Sequence, residues 1–170
     1  TAKDLYPRVS HLISKSDFDL FYSKIPHSPD NIKYDSQADH YLGYPFDHTM
    51  YEKTKYSIVA ETHVSNNDPF MITEKTARAI INKHPFIIAS TPRFLEKLHA
   101  REYETFSNLW PEDYDLIHDD EQRMQKIADT VKYIYSNSID WARAKEIAQR
   151  NYTKLQRRYD KAIARLVQVL

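Results

Sequence analysis

Glycine is almost absent from this chain, with Gly43 the only one among 170 residues. Glycine takes positive φ at no steric cost, so a mechanism built on a glycine-rich phosphate loop is excluded. Neither G-x-G-x-x-G nor G-x-x-x-x-G-K-[ST] occurs. Cysteine is wholly absent, which removes disulfides, thiolate zinc sites and cysteine nucleophiles and agrees with a reducing compartment. No apolar run approaches the roughly 20 residues of a membrane span, and no signal peptide is visible. The expectation is a cytoplasmic protein without a membrane span. The chain begins at Thr1 rather than Met, as a processed product or a fragment would. Net charge is zero, whereas a dedicated nucleic-acid binder is basic, so nucleic acid is not an expected partner. A G-x-S-x-G elbow and a D-x-[DN]-x-[DN]-G loop are also missing, which excludes a serine hydrolase of that kind and a calcium EF-hand.

What is present suffices for a core: hydrophobic residues make up 41% of the chain, and tyrosine is abundant at 13. Residues 1–45 read as an irregular amino-terminal segment, with apolar patches at 9–13 and 18–25 and prolines at Pro26, Pro29 and Pro45. Residues 46–55 suit a short helix or turn. The centre then alternates. Residues 56–61 are β-branched and aromatic, a strand ending on Glu61. Thr73 caps a helix over 73–83, with Glu74 in its first turn and Ala77, Ile80 and Ile81 as the apolar stripe. Residues 85–89 form a continuous apolar run, a strand buried on both faces. Pro92 opens a helix to residue 101. Strand–helix–strand–helix predicts an α/β fold, a small parallel Rossmann-like sheet flanked by helices, with ligands at the carboxyl ends of the strands. Those ends are Glu61 and Ser90-Thr91. The core spans 46–138.

The rest is helical, over 121–135 and 140–170. In the second of these, Ala148, Tyr152, Leu155, Tyr159, Ala162, Leu166 and Leu170 make one stripe. Residues 139–170 are thus a long carboxyl-terminal packing helix, or a surface for another protein chain. Charge is segregated: residues 101–121 carry eight acids against one base, and 139–170 carry eight bases against three acids. Two solvated faces that attract each other, or a basic surface for an acidic partner, both fit that pattern. The eight histidines are scattered and include the pairs Asp39-His40 and Asp47-His48, a spacing without a metal signature. No metal ligand set is expected.

Segment 61–75, ETHVSNNDPFMITEK, concentrates the chemistry. It places the Glu61 carboxylate at a strand end, then a polar loop, then Glu74 and Lys75 at a helix start. A helix amino terminus attracts phosphate, Lys75 adds a mobile positive charge, and a carboxylate accepts ribose hydroxyls. Solvated first-turn charges are the plainer reading of the same residues.

This segment resembles the donor-binding motif of α-1,3-fucosyltransferases, roughly E-N-S, a loop, then D-Y-[VI]-T-E-K. The ordered series Tyr51-Glu-Lys-Thr54, Ser57-Ile-Val-Ala-Glu-Thr62, Thr73-Glu-Lys-Thr76, His84-Pro-Phe-Ile-Ile88, Pro92-Arg-Phe-Leu95, Tyr103-Glu-Thr-Phe106 and Pro111-Glu-Asp-Tyr-Asp115 resembles a wider group of viral and bacterial glycosyltransferases. The resemblance covers a little under half of the chain. It implies the donor-binding half of a glycosyltransferase-B enzyme, with a GDP- or UDP-linked sugar as substrate and no other cofactor. It further implies Glu74 on the ribose, Lys75 on the phosphates with the helix start at Thr73, Glu61 near the sugar, and Phe70 or Met71 beside base or ribose. Catalytic residues are not assigned. A viral member would work in the cytoplasm of its host cell.

The sequence departs from the family at particular points. Thr62-His63 stand where Asn-Ser is usual. The glycine usual after the second strand is replaced within Ala89-Ser90-Thr91, and Arg93 and Glu102 stand at two further glycine positions. Some 50 residues precede the resemblance, fewer than an acceptor domain needs, so a chain that does not catalyse unaided is expected. The alternative is a catalytically inactive structural or interaction module, such as one in a viral particle, that retains the fold.

Overall fold

The computed structural model describes residues 10, 14–23 and 49–167. The chain divides into two compact units, Thr1–Asp47 and His48–Leu170. One helix, α1 (Lys15–Ser23), is described in the first. Ser14 caps it, with Oγ accepting from the Asp17 N–H at 3.1 Å and donating to the Asp17 carboxylate at 2.6 Å. The prolines of residues 1–45 predict an irregular segment, but the Ser14-x-x-Asp17 cap starts a helix within it. Val9, Leu12 and Ile13 and the two Asp-His pairs lie outside the described residues.

The second unit runs α2 (Thr49–Lys53), β1 (Ser57–Ala60), α3 (Glu74–Ile81), β2 (Phe86–Ala89), α4 (Phe94–His99), a 3-10 turn (Asp113–Leu116), α5 (Asp120–Ser136) and α6 (Trp141–Val167). It is mixed α/β, with β1 and β2 paired in parallel, flanking helices and a long carboxyl-terminal helix. The register pairs Ser57 with Phe86 and Ala60 with Ala89. Hydrogen bonds Ser57 N to Pro85 O (2.8 Å) and Glu61 N to Ala89 O (3.0 Å) extend the ladder at both ends. All four β2 residues are buried, as an apolar run demands, whereas β1 alternates, with Val59 inside and Ile58 exposed. Each buried isoleucine or phenylalanine contributes about 1.5–3 kcal/mol, which makes β2 the axis of the core.

Aromatic side chains extend that axis. Phe86 meets Phe106 edge-on, Phe106 stacks on Trp110, and Trp110 reaches Trp141 at the start of α6, with centroids 4.9, 4.9 and 6.3 Å apart. His84, fully inside, clamps the entry to β2. Its Nδ1 lies 2.8 Å from Ser57 Oγ and its Nε2 lies 3.0 Å from the Thr54 carbonyl. Burial lowers its pKa, so the ring stays neutral and donates from Nε2. This is a packing and turn role.

Scarce glycine leaves its mark on the backbone. Lys83, Arg93 and Glu102 adopt φ of 53, 60 and 64°. Lys83 ends α3 with the paired bonds Lys83 N to Ile80 O and His84 N to Ala79 O, and Glu102 ends α4 with Glu102 N to His99 O and Tyr103 N to Leu98 O. These are Schellman closures whose left-handed position usually holds glycine.

Along α6, Ala144, Ile147, Ala148 and Asn151 are buried and Tyr152 and Leu155 half-buried, while residues 156–165 are exposed all round. The stripe read from sequence therefore packs only over its first half; Tyr159 and Ala162 are uncovered, and the side chains of Leu166 and Leu170 lie outside the described ones. The acidic segment meets this helix: Arg150 grips Glu104 through two bonds (2.5 and 2.8 Å), and Lys154 bonds Glu102. The opposite charges attract within one chain.

Candidate functional site

The carboxyl ends of β1 and β2 open onto the loop 62–69 and the starts of α3 and α4. Loop 62–69 is held as a turn: the N–H groups of Val64 and Ser65 donate to Asp68 Oδ2 at 3.1 and 2.9 Å. It is tied to β2 by Ser90 Oγ donating to the His63 carbonyl at 3.0 Å and to α5 by Asn66 N–H on Asp120 at 2.9 Å.

Glu61 lies at the base of this region and is only 5% exposed. One oxygen accepts from the Thr73 and Thr76 N–H groups (3.2 and 3.3 Å) and from the Thr76 hydroxyl (2.5 Å); the other accepts from the Thr73 hydroxyl. The carboxylate thus caps α3 from β1. Thr73 is itself the N-cap in an extended conformation, its hydroxyl oxygen receiving the Lys75 N–H at 3.3 Å. The β1 sequence delivers Glu61 to this point because strand pairing with β2 continues to its own N–H.

Glu74 and Lys75 face outward from the first turn of α3. Lys75 Nζ stands 3.0 Å from both Glu74 Oε1 and Thr62 Oγ1, so the ammonium reaches back over the end of β1. That ammonium, with the residue's own backbone N–H and Arg78, holds the Glu74 carboxyl below its ordinary pKa. Glu74 is an exposed acceptor and Lys75 a half-exposed donor, the chemistry that sugar hydroxyls and phosphate oxygens require. Phe70 is elsewhere engaged. Its ring packs on Phe94 (centroids 5.0 Å apart), with Lys97 and Arg101 cations 5.3 and 4.5 Å from its centroid. Met71 is exposed. Glu61, Thr73, Glu74 and Lys75 therefore gather at one helix start, and Phe70 belongs to the α4 surface.

The second helix start is closed in the same manner. Asp115, in the 3-10 turn, accepts from the Leu95 and Glu96 N–H groups at 2.8 and 3.1 Å, and its carbonyl takes the Arg93 N–H at 2.6 Å. Burial raises its pKa although those α4 amides oppose the rise. Glu112 stands nearby, with Oε1 on the Phe106 N–H at 2.9 Å, and burial pushes its pKa up to about 7. The two carboxyls line a cavity of about 260 Å³ with Glu96, His99 and Thr105.

Arg123 joins these parts. It is 1% exposed, and its guanidinium donates to the carbonyls of Ser90 (3.0 Å), Ile117 (2.8 Å) and Val64 and to Asp120 (2.7 Å). One side chain thereby ties the loops after both strands to α5. Nearby, the buried Thr91 Oγ1 has no hydrogen-bond partner among the described residues. Sequence reasoning missed Arg123, whose helical surroundings look ordinary. Glu112 and Asp115 did stand within a recognised run, Pro111-Glu-Asp-Tyr-Asp115, without a role. Among the described residues, no three His, Asp or Glu side chains converge as metal ligands, and no helix is long and apolar enough to cross a membrane. Neither a protein-family model, nor a curated protein, nor a solved structure matches this chain.

Proposed function

We propose that this chain is the donor-binding half of a fucosyltransferase-like glycosyltransferase and binds a nucleotide sugar beside α3. The observation that carries the reading is the outward pair Glu74 and Lys75, set at a helix start over the carboxyl end of a parallel strand. Glu74 accepts from the ribose hydroxyls, and Lys75 neutralises the diphosphate that becomes the leaving group when an acceptor hydroxyl displaces it. Glu61 acts one layer below, holding Thr73 and Thr76 so that the pair is presented. The left-handed backbone at Arg93 and Glu102, where related glycosyltransferases carry glycine, supports the resemblance.

A second reading, a catalytically inactive module that keeps the fold, draws on a different fact. The N–H groups of Thr73, Thr76, Leu95 and Glu96 already serve Glu61 and Asp115, which leaves Lys75 as the main phosphate ligand.

Calorimetric titration with GDP, UDP and GDP-fucose separates the two. Donor binding predicts saturable micromolar binding of one nucleotide, weakened by Lys75→Ala by about 1.5–3 kcal/mol, the size of a charge-assisted hydrogen bond. Absence of binding by a folded sample establishes the inactive module; equal affinity in the Lys75→Ala variant removes Lys75 from the site.

A further inference from the structure

A diphosphate carries more than one negative charge, and Lys75 is a single ammonium. The amides at both helix starts already serve Glu61 and Asp115. Arg123 is buried among carbonyls, and Arg93 pairs with Glu96. One titratable side chain at this end of the sheet keeps a nitrogen uncommitted. His63 follows Thr62, whose Oγ1 stands 3.0 Å from the Lys75 ammonium. The His63 carbonyl accepts from Ser90 Oγ at 3.0 Å, which fixes its backbone beside the carboxyl end of β2. Its side chain is 30% exposed, and Nδ1 lies 3.9 Å from Asp68 Oδ2, within ion-pair range of a protonated ring. The Asp68 carboxylate is itself held by the N–H groups of Val64 and Ser65. The His63 Nε2 has no hydrogen-bond partner among the described residues.

A carboxylate on one nitrogen orients an imidazole and leaves the other nitrogen for a ligand. We propose that His63 is a second phosphate ligand, a role that rests on the donor-binding reading. As imidazolium, paired with Asp68 through Nδ1, it donates from Nε2 to the diphosphate that Lys75 holds. Serine stands at this position in the related motif, so the resemblance does not supply this cation.

A ligand of the imidazolium binds less tightly as pH climbs through the range in which imidazole loses its proton. Calorimetric titration of the full chain with GDP-fucose and with UDP-glucose between about pH 5.5 and about pH 8.5 reads this. Neither nucleotide sugar has a phosphate monoester, the group that titrates in that range, so a change belongs to the protein. The charged groups around the loop are Glu61, Glu74 and Lys75 from β1 and α3, and His118, Asp120 and Arg123 from the α5 side. Of these only His118 is also an imidazole, which makes His118→Gln the control. The parent binds one of the two donors about tenfold more tightly at the acid end, the scale of one charge-assisted hydrogen bond. His63→Gln abolishes that gain and keeps the weaker affinity of the alkaline end, whereas His118→Gln retains the gain. Circular dichroism checks that each variant is folded. Equal affinity of the parent at both ends, or a gain that survives His63→Gln, overturns the proposal and leaves the donor reading standing. Failure of the folded parent to bind either nucleotide sugar at any pH overturns the donor reading and this proposal with it.

Discussion

Thr76, one turn into α3, gives both its hydroxyl (2.5 Å) and its N–H (3.3 Å) to the same oxygen of Glu61 at the end of β1. The strand thereby caps the helix that follows it. Thr76 is wholly buried, so its donors have no water to turn to if the carboxylate is removed. Glu61→Ala is expected to cost about 2–4 kcal/mol in urea unfolding. A loss below about 0.5 kcal/mol would show that this cap is not what Glu61 contributes.

Arg123 carries a heavier burden, since four carbonyls (Val64, Ser90, Ile117 and His118) and a carboxylate share its guanidinium. Arg123→Met should destabilise by about 3–5 kcal/mol, because the carbonyls of Val64, Ser90 and Ile117 lose their buried donor. Lysine offers three donors from a single point and cannot restore the fork, so Arg123→Lys is expected to fall nearer to methionine than to the parent. Chemical denaturation of the three proteins checks the order.

The left-handed Arg93 permits a stabilising change. A non-glycine residue at φ 60° is strained, and glycine relieves that strain while giving back part of the gain as unfolded-chain entropy. Arg93→Gly should raise stability by about 0.5–1 kcal/mol, read as a rise in thermal midpoint. Arg93→Gly gives up one exposed pair, with Glu96, of little worth; Glu102→Gly gives up pairs with both Lys154 and Arg158 and is the poorer test.

Glu112 sets a pH dependence. Its pKa rises from 4.5 to about 7 through burial, so the folded chain keeps a proton that the unfolded chain releases. The associated stability is fully present below about pH 4.5 and is lost as pH climbs through about 7, a change of about 3 kcal/mol. His84, with its pKa lowered by burial, slopes the other way, gaining stability as pH rises. Unfolding of Glu112→Gln across this range isolates the glutamate: its curve should lack the parent's fall, and a parallel curve would refute the assignment.

Local patterns in the sequence were informative wherever one segment sufficed. The buried run before Ser90, the Thr73 cap and the 3.6-residue stripe of α6 each predict an element, and the elements stand within one to three residues of the expected bounds. The α1 cap was also written locally, in Ser14 and Asp17. Pairs distant in the chain were harder to read. Asp115 closes α4 from twenty residues away, and Arg123 reaches Val64 across fifty-nine; no spacing in a single sequence encodes such reach.

The sequence by itself determined the strand–helix alternation, the scarcity of phosphate loops and the outward charges at Glu74 and Lys75, because periodicity, capping and glycine content act over a few neighbouring residues. Tertiary structure alone decided that Glu61 turns inward as a cap while Glu74 stays in solvent. It also decided that the α6 stripe is covered to Leu155 and bare beyond, because burial depends on which surfaces the folded chain brings together.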